Sequence, residues 1–255
     1  MADEDRILFQ GEYFPTFSER GFKPILTRFC EPLQGFAMEP IHAIEGKSVQ
    51  PFWEGMDTPF LQGYIRPYTL EKCEKVSVCN CILMNRILTG ALIIFPDADH
   101  DLPILVLEWN ETESVISLVC DLVPLVDLVM HEDYRSKYID GLEQYWMKYK
   151  NLPGMEPNRF AWVRTMFSPY YLSGAIPKDK EENVNECFNI IKDYLGHWIN
   201  LWKGASPVAD AAMRDYIRER TQKMRVMFRT GDEGAKTLAQ MIGQETIDLL
   251  LTCNF

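Results

Sequence analysis

The sequence lacks an apolar run long enough to cross a membrane. A spanning helix needs about 20 consecutive apolar residues, whereas the most apolar stretch, 118–130, is interrupted by Asp121 and Asp127. The N-terminus reads Met-Ala-Asp-Glu-Asp-Arg. It therefore has neither the basic, then apolar start of a signal peptide nor the acid-poor composition of a transit peptide. We expect a soluble protein with no membrane span, either cytoplasmic or organellar and written without its leader.

Positive charge is also scarce. Lysine and arginine total 26 against 37 aspartates and glutamates, which gives a net charge of −11. Because nucleic-acid phosphates are bound by a positive field, this composition predicts no nucleic-acid partner.

Motifs for metals and cofactors are missing. The four histidines are widely separated, and the pair Cys79 and Cys81, with Cys73 nearby, has no second pair at the spacing of a zinc site. The sequence contains no HExxH, GxSxG or phosphate-binding loop, and no GxGxxG after a strand. The seven cysteines are an odd number without a secretory signal, which indicates reduced thiols. We expect no metal and no bound cofactor.

The chain does have the composition of a globular protein. Its 255 residues are 47% hydrophobic and 25% charged, and no linker divides them, so we predict a single domain over 1–255. Residues 1–60 are rich in proline and aromatics and predict an irregular segment, 61–122 predict a sheet, and 131–255 predict mainly helices.

Short β-branched and apolar runs joined by short loops favour an antiparallel sheet. Helical periodicity and stop signals dominate the second half of the chain. Together they predict an α+β fold with helices that cover a central sheet. The predicted strands lie near 61–67, 73–84, 88–95, 103–110 and 114–122. The predicted helices lie near 131–148, 180–203, 207–228 and 233–252, with an irregular stretch at 160–176.

Glu108 is the first candidate for chemistry. In a strand, residues two apart share a face, so Glu108 shares a face with the apolar Ile104 and Val106. A carboxyl group among apolar neighbours has a raised pKa and suits a proton donor near neutral pH. The alternative is that Glu108 ends its strand and points into water.

Two further strands have side chains of possible function. Asp121 closes the strand that pairs with the Glu108 strand, and its alternative role is to bond loop amides ahead of Pro124. The face of strand 73–84 that carries Ser77, Cys79 and Cys81 is small and polarisable. It could line a ligand cavity, or it could be ordinary core.

A basic helix stands out in this acidic chain. Residues 210–229 carry six cations against three carboxylates, +6 − 3 = +3, while the chain totals −11. Such a patch suits an acidic protein partner, and the alternative is a solvated face with internal ion pairs. The cations are Arg214, Arg218, Arg220, Lys223, Arg225 and Arg229.

These residues belong to a wider pattern that resembles the ferredoxin-dependent bilin reductases. The pattern runs Phe95-Pro96, Asp101-Leu102-Pro103, an acid at 108, and then Asp121-Leu122-x-Pro124-Leu125. Within that superfamily, the segments 120–138 and 152–169 are most similar to red chlorophyll catabolite reductase. The C-terminal run from Phe228 to Glu245 also fits the superfamily, and the similarity covers roughly residues 60–250.

The resemblance implies a three-layer α/β/α sandwich with a tetrapyrrole pocket between the sheet and the C-terminal helices. It implies reduction of a linear tetrapyrrole without metal or flavin, with electrons from reduced ferredoxin and protons from pocket carboxylates. Glu108 falls where bilin reductases commonly carry a catalytic Asp. Their strand His falls near Ala91 and a preceding Glu near Cys79. Red chlorophyll catabolite reductase has a carboxylate that falls near Pro177 here, two residues before Asp179.

The resemblance therefore implies the following roles. Glu108 is the proton donor and Asp179 a second candidate, while Cys79 and Ala91 line the substrate pocket. Asp121, Arg164 and Ser168 hold the pocket geometry or the substrate propionates. The ferredoxin patch comprises Arg214, Arg218, Lys223 and Arg225.

The leading hypothesis is a reductase of a red chlorophyll catabolite-like tetrapyrrole. The alternatives are a phytobilin-type reductase that acts on biliverdin or dihydrobiliverdin, and a tetrapyrrole-binding protein without catalysis. A weaker one is an interaction domain that binds no pigment. The resemblance places the protein in the chloroplast stroma or a bacterial cytoplasm. The acidic helix predicted near 131–148 suggests a possible homodimer.

Overall fold

The computed structural model describes residues 33, 35–84 and 86–255, so most of the predicted irregular segment lies outside the described residues. The described strands are β1 (Met38–Pro40), β2 (Ala43–Ile44), β3 (Lys47–Ser48), β4 (Met56–Asp57), β5 (Leu61–Leu70), β6 (Cys73–Leu83), β7 (Ile87–Pro96), β8 (Ile104–Glu111), β9 (Val115–Val123) and β10 (Leu172–Pro177). The helices are α1 (Gln50–Glu54), α2 (Glu132–Tyr138), α3 (Glu143–Tyr149), α4 (Ala161–Met166), α5 (Glu181–Gly204), α6 (Ala211–Gly231), α7 (Glu233–Ile242) and α8 (Gln244–Asn254), with a 3₁₀ turn at Asp140–Leu142.

The main sheet is antiparallel and follows chain order. In the described residues it has eight strands, in the order β1-β5-β6-β7-β8-β9-β10, with β4 beside β5. The five predicted strands are confirmed as β5 to β9. The first of them, β5, extends past Pro67 to Leu70. The Pro67 carbonyl accepts a hydrogen bond from the Ile41 amide, on the side of β5 that faces away from β6. The N–H that proline lacks would lie on that same side, so the hydrogen bonds between β5 and β6 are kept.

Helices cover both faces of the sheet. On one face, Phe188 of α5 stacks on Trp109 of β8, with ring centroids 4.7 Å apart. On the other face, the Lys75 ammonium of β6 donates to the carbonyl of Thr252 in α8 at 2.9 Å. Phe228 of α6 meets Phe95 of β7 edge to face on that side. The α+β fold with three α/β/α layers is therefore confirmed.

The two faces have different compositions because strand side chains alternate. The apolar face, under α5, includes Leu92, Leu105, Leu107, Trp109, Leu118, Cys120 and Leu122. The polar face, toward α6, α7 and α8, includes Lys75, Ser77, Cys79, Cys81, Thr89, Ala91, Glu108, Asn110 and Asp121.

Two predictions for the helical half were wrong. The helix expected near 131–148 is divided into α2, the 3₁₀ turn and α3, which removes the basis for a dimer through one long helix. The break centres on Gly141, where a Cβ would come within 2.7 Å of the His197 ring. The helix expected near 233–252 is interrupted at Gly243, whose φ of +91° is left-handed.

The stretch expected to be irregular at 160–176 contains α4 and the strand β10. β10 pairs with β9, which puts Ser173 opposite Val119. It fits because Gly174 lies against Gly154, where a Cβ on Gly174 would come within 2.4 Å of the Gly154 carbonyl oxygen. None of the helices among the described residues has the length and apolar character that a membrane crossing requires.

Candidate active site

The register of β6, β7 and β8 brings three predicted site positions together. Cys79 lies opposite Ala91, and Ala91 lies opposite Glu108. Ile65 continues this row on one side and Val119 on the other. We call these five residues the central row of the polar face. Two of its members, Cys79 and Ala91, have small side chains, so the neighbours of Glu108 on this row contribute little side-chain bulk.

Glu108 lies within the strand and does not end it. β8 continues to Glu111, and the Glu108 side chain is partly buried on the polar face. The Asn110 amide donates to Glu108 Oε1 at 2.8 Å, and the Thr89 hydroxyl donates to Asn110 Oδ1 at 2.8 Å. This short chain of hydrogen bonds fixes the carboxyl group against the neighbouring pair Thr89 and Asn110.

Burial raises the pKa of Glu108 above its ordinary value. The hydrogen bond from Asn110 opposes this shift, whereas the negative charge of Asp232 adds to it. A carboxylic acid that keeps its proton closer to neutral pH is suited to general acid catalysis. The residual exposure of the side chain also lets it exchange protons with water.

The thiol next to Glu108 stays protonated. Cys79 Sγ lies 3.8 Å from Cys81 Sγ, and this neighbour together with burial raises the pKa of Cys79 well above its ordinary value. Nucleophilic and metal-binding cysteines require thiolates, so Cys79 is suited to line a cavity. Within the described ranges, histidine, cysteine and carboxylate side chains form no group of three that could hold a metal ion.

Asp121 and Ser168 form a buried latch. The Ser168 amide donates to Asp121 Oδ2 at 2.7 Å, and the Ser168 hydroxyl donates to Oδ1 at 2.5 Å. Burial raises the pKa of Asp121 to about 7, and the Ser168 hydrogen bonds oppose that shift. Because both carboxylate oxygens are engaged, Asp121 fits the predicted role in pocket geometry and not the binding of propionates, which carry the same charge.

Arg164 and Asp179 lie elsewhere on the surface. Arg164 is exposed on α4, and its Nη1 donates to the Asn158 carbonyl at 2.5 Å. Asp179 is exposed between β10 and α5 and accepts from Asn183 Nδ2 at 3.3 Å. These hydrogen bonds of Arg164 and Asp179 go to Asn158 and Asn183, which lie outside the strands β6, β7 and β8 of the central row. The structure therefore unites Glu108 with Cys79 and Ala91, and it does not add Asp179.

Sequence reasoning missed three polar neighbours of Glu108. Thr89 and Asn110 follow from the β7–β8 register, which an alignment of the two predicted strands could have suggested. Asp232 caps α7 by accepting from the Ala235 amide at 3.0 Å, and its position near Glu108 is a tertiary effect without a local signal.

The opposite end of the polar face is closed by α8. Lys75 Nζ donates to the Thr252 carbonyl, and the Ser77 hydroxyl bonds Asn254 Oδ1 at 2.9 Å. Burial, together with the charge of Arg225, lowers the pKa of Lys75 to about 7. The side chains of this face that keep exposed surface, among them Thr89, Glu108 and Asn110, lie at the other end, which we call the open end.

The predicted ferredoxin patch divides in the structure. Arg218 and Lys223 are exposed, whereas Arg214 is half-buried and lies near Asp99. The prediction that Arg225 belongs to the exposed patch was wrong, because Arg225 is buried and faces the sheet. It forms a two-pronged ion pair with Glu74 at 3.1 and 2.7 Å and covers the Phe95 ring.

Comparisons with known proteins agree with this fold. A family model described as ferredoxin-dependent bilin reductase matches residues 74–252. Curated protein sequences give no significant match. Among solved structures, the chain is similar to phytochromobilin synthase from tomato in complex with biliverdin, with 20% identity and a TM-score of 0.73. That similarity covers 89% of this chain and 80% of the tomato chain.

Proposed function

Because the chain belongs to the ferredoxin-dependent bilin reductases, which are oxidoreductases of linear tetrapyrroles, we propose that Glu108 protonates a pigment held over the central row. The observation that carries this proposal is the Glu108 carboxyl group, partly buried, with a raised pKa, beside the small side chains of Cys79 and Ala91. Ferredoxin is the electron donor that the family's name specifies.

In the proposed reaction, one carboxyl group supplies both protons. Saturation of one double bond takes two electrons, delivered one at a time by two reduced ferredoxins, and two protons. Glu108 gives the first proton to the one-electron-reduced pigment, regains a proton from water through its exposed edge, and gives the second. Asn110 and Thr89 keep the carboxyl group oriented through both transfers.

For the substrate, we propose a red chlorophyll catabolite-like pigment. The resemblance places a Glu and a His of the biliverdin-reducing enzymes near Cys79 and Ala91. Here the central row has a single carboxyl group and no imidazole. A pigment whose reduction needs only one pocket acid fits this row better than one that needs all three groups.

Two other candidates have specific support. A phytobilin-type reduction of biliverdin is favoured by the bilin reductase family model and by the fold similarity to a protein solved with biliverdin. Binding without catalysis is favoured by the cysteine and the alanine in the central row.

An anaerobic assay with reduced ferredoxin and a panel of open-chain tetrapyrroles separates these candidates. We expect bleaching and a reduced product from the red chlorophyll catabolite. Reduction of biliverdin alone would establish the phytobilin alternative. A stable coloured complex without spectral change upon addition of reduced ferredoxin would establish the binding protein.

Glu108→Gln tests the proton donor. We expect pigment binding to remain and turnover to fall by about 10²–10⁴-fold, the usual contribution of a positioned acid. Binding is measured by absorbance titration and turnover in the anaerobic assay. The matched control is Glu113→Gln, which makes the same substitution in the exposed β8–β9 turn. Full turnover in Glu108→Gln would refute the assignment.

A further inference from the structure

Two polar side chains lie beside the central row and are linked to Glu108. Thr89 of β7 lies opposite Asn110 of β8. Each stands two residues from a member of the central row in its own strand, so both side chains point to the polar face. The Thr89 hydroxyl donates to Asn110 Oδ1 at 2.8 Å, and Asn110 Nδ2 donates to Glu108 Oε1 at 2.8 Å. Both hydrogen bonds therefore point toward the carboxyl group.

The observed orientation of the Asn110 amide suits an ionised Glu108. A carboxylate has only acceptor atoms, and the amide turns its NH₂ group, which is a donor, toward Glu108 Oε1. A protonated Glu108 carries one O–H group that needs an acceptor. The acceptor of the amide, Oδ1, is turned toward Thr89. A change in the protonation of Glu108 therefore changes what it requires from Asn110.

Half a turn of the Asn110 amide exchanges its two ends. The oxygen end and the NH₂ end are nearly equal in size, so the turned amide fills the same space. The torsion concerned joins a tetrahedral carbon to a planar one, and such torsions are broad and roughly two-fold. After the half turn, the Glu108 O–H would donate to Oδ1, and Nδ2 would donate to the Thr89 hydroxyl oxygen.

The Thr89 hydroxyl can serve the amide in both orientations. A hydroxyl group has one hydrogen to donate and lone pairs that accept. It donates to Asn110 Oδ1 in the observed orientation, and it would accept from Nδ2 in the turned one. A polar group that loses its partner away from water costs free energy. A side chain that could only donate, or only accept, would therefore favour one orientation of the amide.

Asp121 is a second carboxyl group with a raised pKa on this face, and its partner is of a different kind. The Ser168 backbone amide donates to Asp121 Oδ2 at 2.7 Å. A backbone N–H is always a donor and is held in place by the chain, so it cannot become an acceptor when Asp121 is protonated. Asp121 thus has a partner fixed for the carboxylate, whereas Glu108 has one that can follow a change of protonation.

We propose that Thr89 is a positioning residue: its hydroxyl lets the Asn110 amide turn with the protonation state of Glu108, so that the acid and the carboxylate each keep a hydrogen bond. This inference rests on the proposed function, in which Glu108 gives up and regains a proton twice in each reaction. When Glu108 protonates the pigment, the amide turns its nitrogen toward the new carboxylate. When water returns the proton to Glu108, the amide turns back. The amide itself carries no proton between water and Glu108.

Three other ionisable groups surround Glu108 on this face. Cys79 of β6 keeps its proton, because burial and Cys81 raise its pKa well above the ordinary value. Asp232, at the start of α7, adds a negative charge that raises the pKa of Glu108. Asp121 of β9 has a pKa of about 7 and changes its charge near neutral pH. A test must therefore separate the response of Glu108 from that of Asp121.

Nuclear magnetic resonance tests the turn of the amide without pigment. In the wild type, the Asn110 NH₂ protons should show Overhauser contacts to Glu108 above the pKa of Glu108 and to Thr89 below it. The Asn110 signal is identified as the one that Asn110→Ser lacks. In Glu108→Gln, which removes the ionisable group and leaves Asp121 in place, the contacts should be the same at both pH values.

Turnover in the anaerobic assay tests the role of Thr89. Thr89→Val keeps the shape of the side chain and removes the hydroxyl, so turnover should fall about tenfold while pigment affinity is unchanged. Thr89→Ser keeps the hydroxyl and should restore most of the rate. The matched control is Thr165→Val, at an exposed site on α4 whose hydroxyl donates to the Ala161 carbonyl of the same helix at 2.8 Å. This control should turn over like the wild type.

Either measurement can overturn the proposal. The Asn110 contacts could be the same on both sides of the Glu108 pKa, or they could change equally in Glu108→Gln. Thr89→Val could retain full turnover, or Thr89→Ser could be no faster than Thr89→Val. Failure of the proposed function is distinct, because it would appear as full turnover in Glu108→Gln or as a wild type that reduces no pigment. The Overhauser contacts are measured without pigment, so they decide the inference in that case as well.

Discussion

The two faces of the central sheet are built from the same strands but differ in burial and in polarity. On the apolar face, Leu107 and Trp109 are fully buried beneath α5. Between them on the strand, Glu108 points to the polar face and keeps part of its surface exposed. Alternation along one strand therefore places successive residues in the core under α5 and on the face of the candidate site.

The polar face itself varies along the strands. At its closed end, Lys75 and Ser77 find partners in α8. At its open end, the partners of Glu108 come from its own sheet, through Asn110 and Thr89. Groups at the closed end fix the last helix, whereas at the open end Glu108 keeps part of its surface exposed.

The largest effect on stability is expected from the apolar face. Trp109→Ala removes a fully buried indole that stacks on Phe188, and it should lower the free energy of unfolding by about 3–5 kcal/mol. Urea denaturation measures the loss. The matched control is Trp146→Ala, at a half-buried site on α3, where a clearly smaller loss is expected. Equal losses in the two variants would contradict the assignment of stability to this face.

The second effect is a pH dependence that comes from Asp121. Its pKa of about 7 in the folded state lies above the ordinary value of 3.8, so the folded protein binds more protons than the unfolded chain between these values. Stability should therefore fall as pH rises from about 4 to about 7, by on the order of 3 kcal/mol from this residue.

Urea denaturation across that range, in the wild type and in Asp121→Asn, isolates this contribution. The variant should have the shallower slope, while the part that comes from the raised pKa of Glu108 remains in both proteins. Parallel slopes would show that Asp121 is already ionised in the folded protein at low pH.

The smallest effect on stability is expected from added bulk in the central row, where pigment binding should respond more strongly. Ala91→Leu adds bulk beside Glu108 on the central row, and it should weaken pigment binding about tenfold or more. The free energy of unfolding should fall by about 1–3 kcal/mol, the usual cost of overpacking. Absorbance titration and urea denaturation give the two values. Ala175→Leu, at an exposed site on β10, is the control and should bind pigment normally. Normal binding by Ala91→Leu would place the pigment elsewhere.

Sequence reasoning predicted most of the sheet and part of the site. The strands β5 to β9 followed from alternation and turn signals, because both depend on residues close in sequence. β10 was missed because it forms only through contacts with residues far along the chain. It pairs with the free edge of β9, and Gly174 packs against Gly154. Arg225 was assigned to the surface because charge counts ignore helix phase, although its neighbours Met224 and Phe228 are buried on the same side.

Patterns in the amino-acid order are enough to predict that Glu108 shares a strand face with apolar residues, that one helix is rich in cations, and that helices follow a run of antiparallel strands. Those properties are periodic, and periodicity is local. The folded chain is needed to see that Cys79, Ala91 and Glu108 form one row, that Asp232 lies near Glu108, and that Ser168 donates hydrogen bonds to Asp121. Strand register and the docking of helices join residues far apart in the chain, and their energies depend on the packing of the whole molecule.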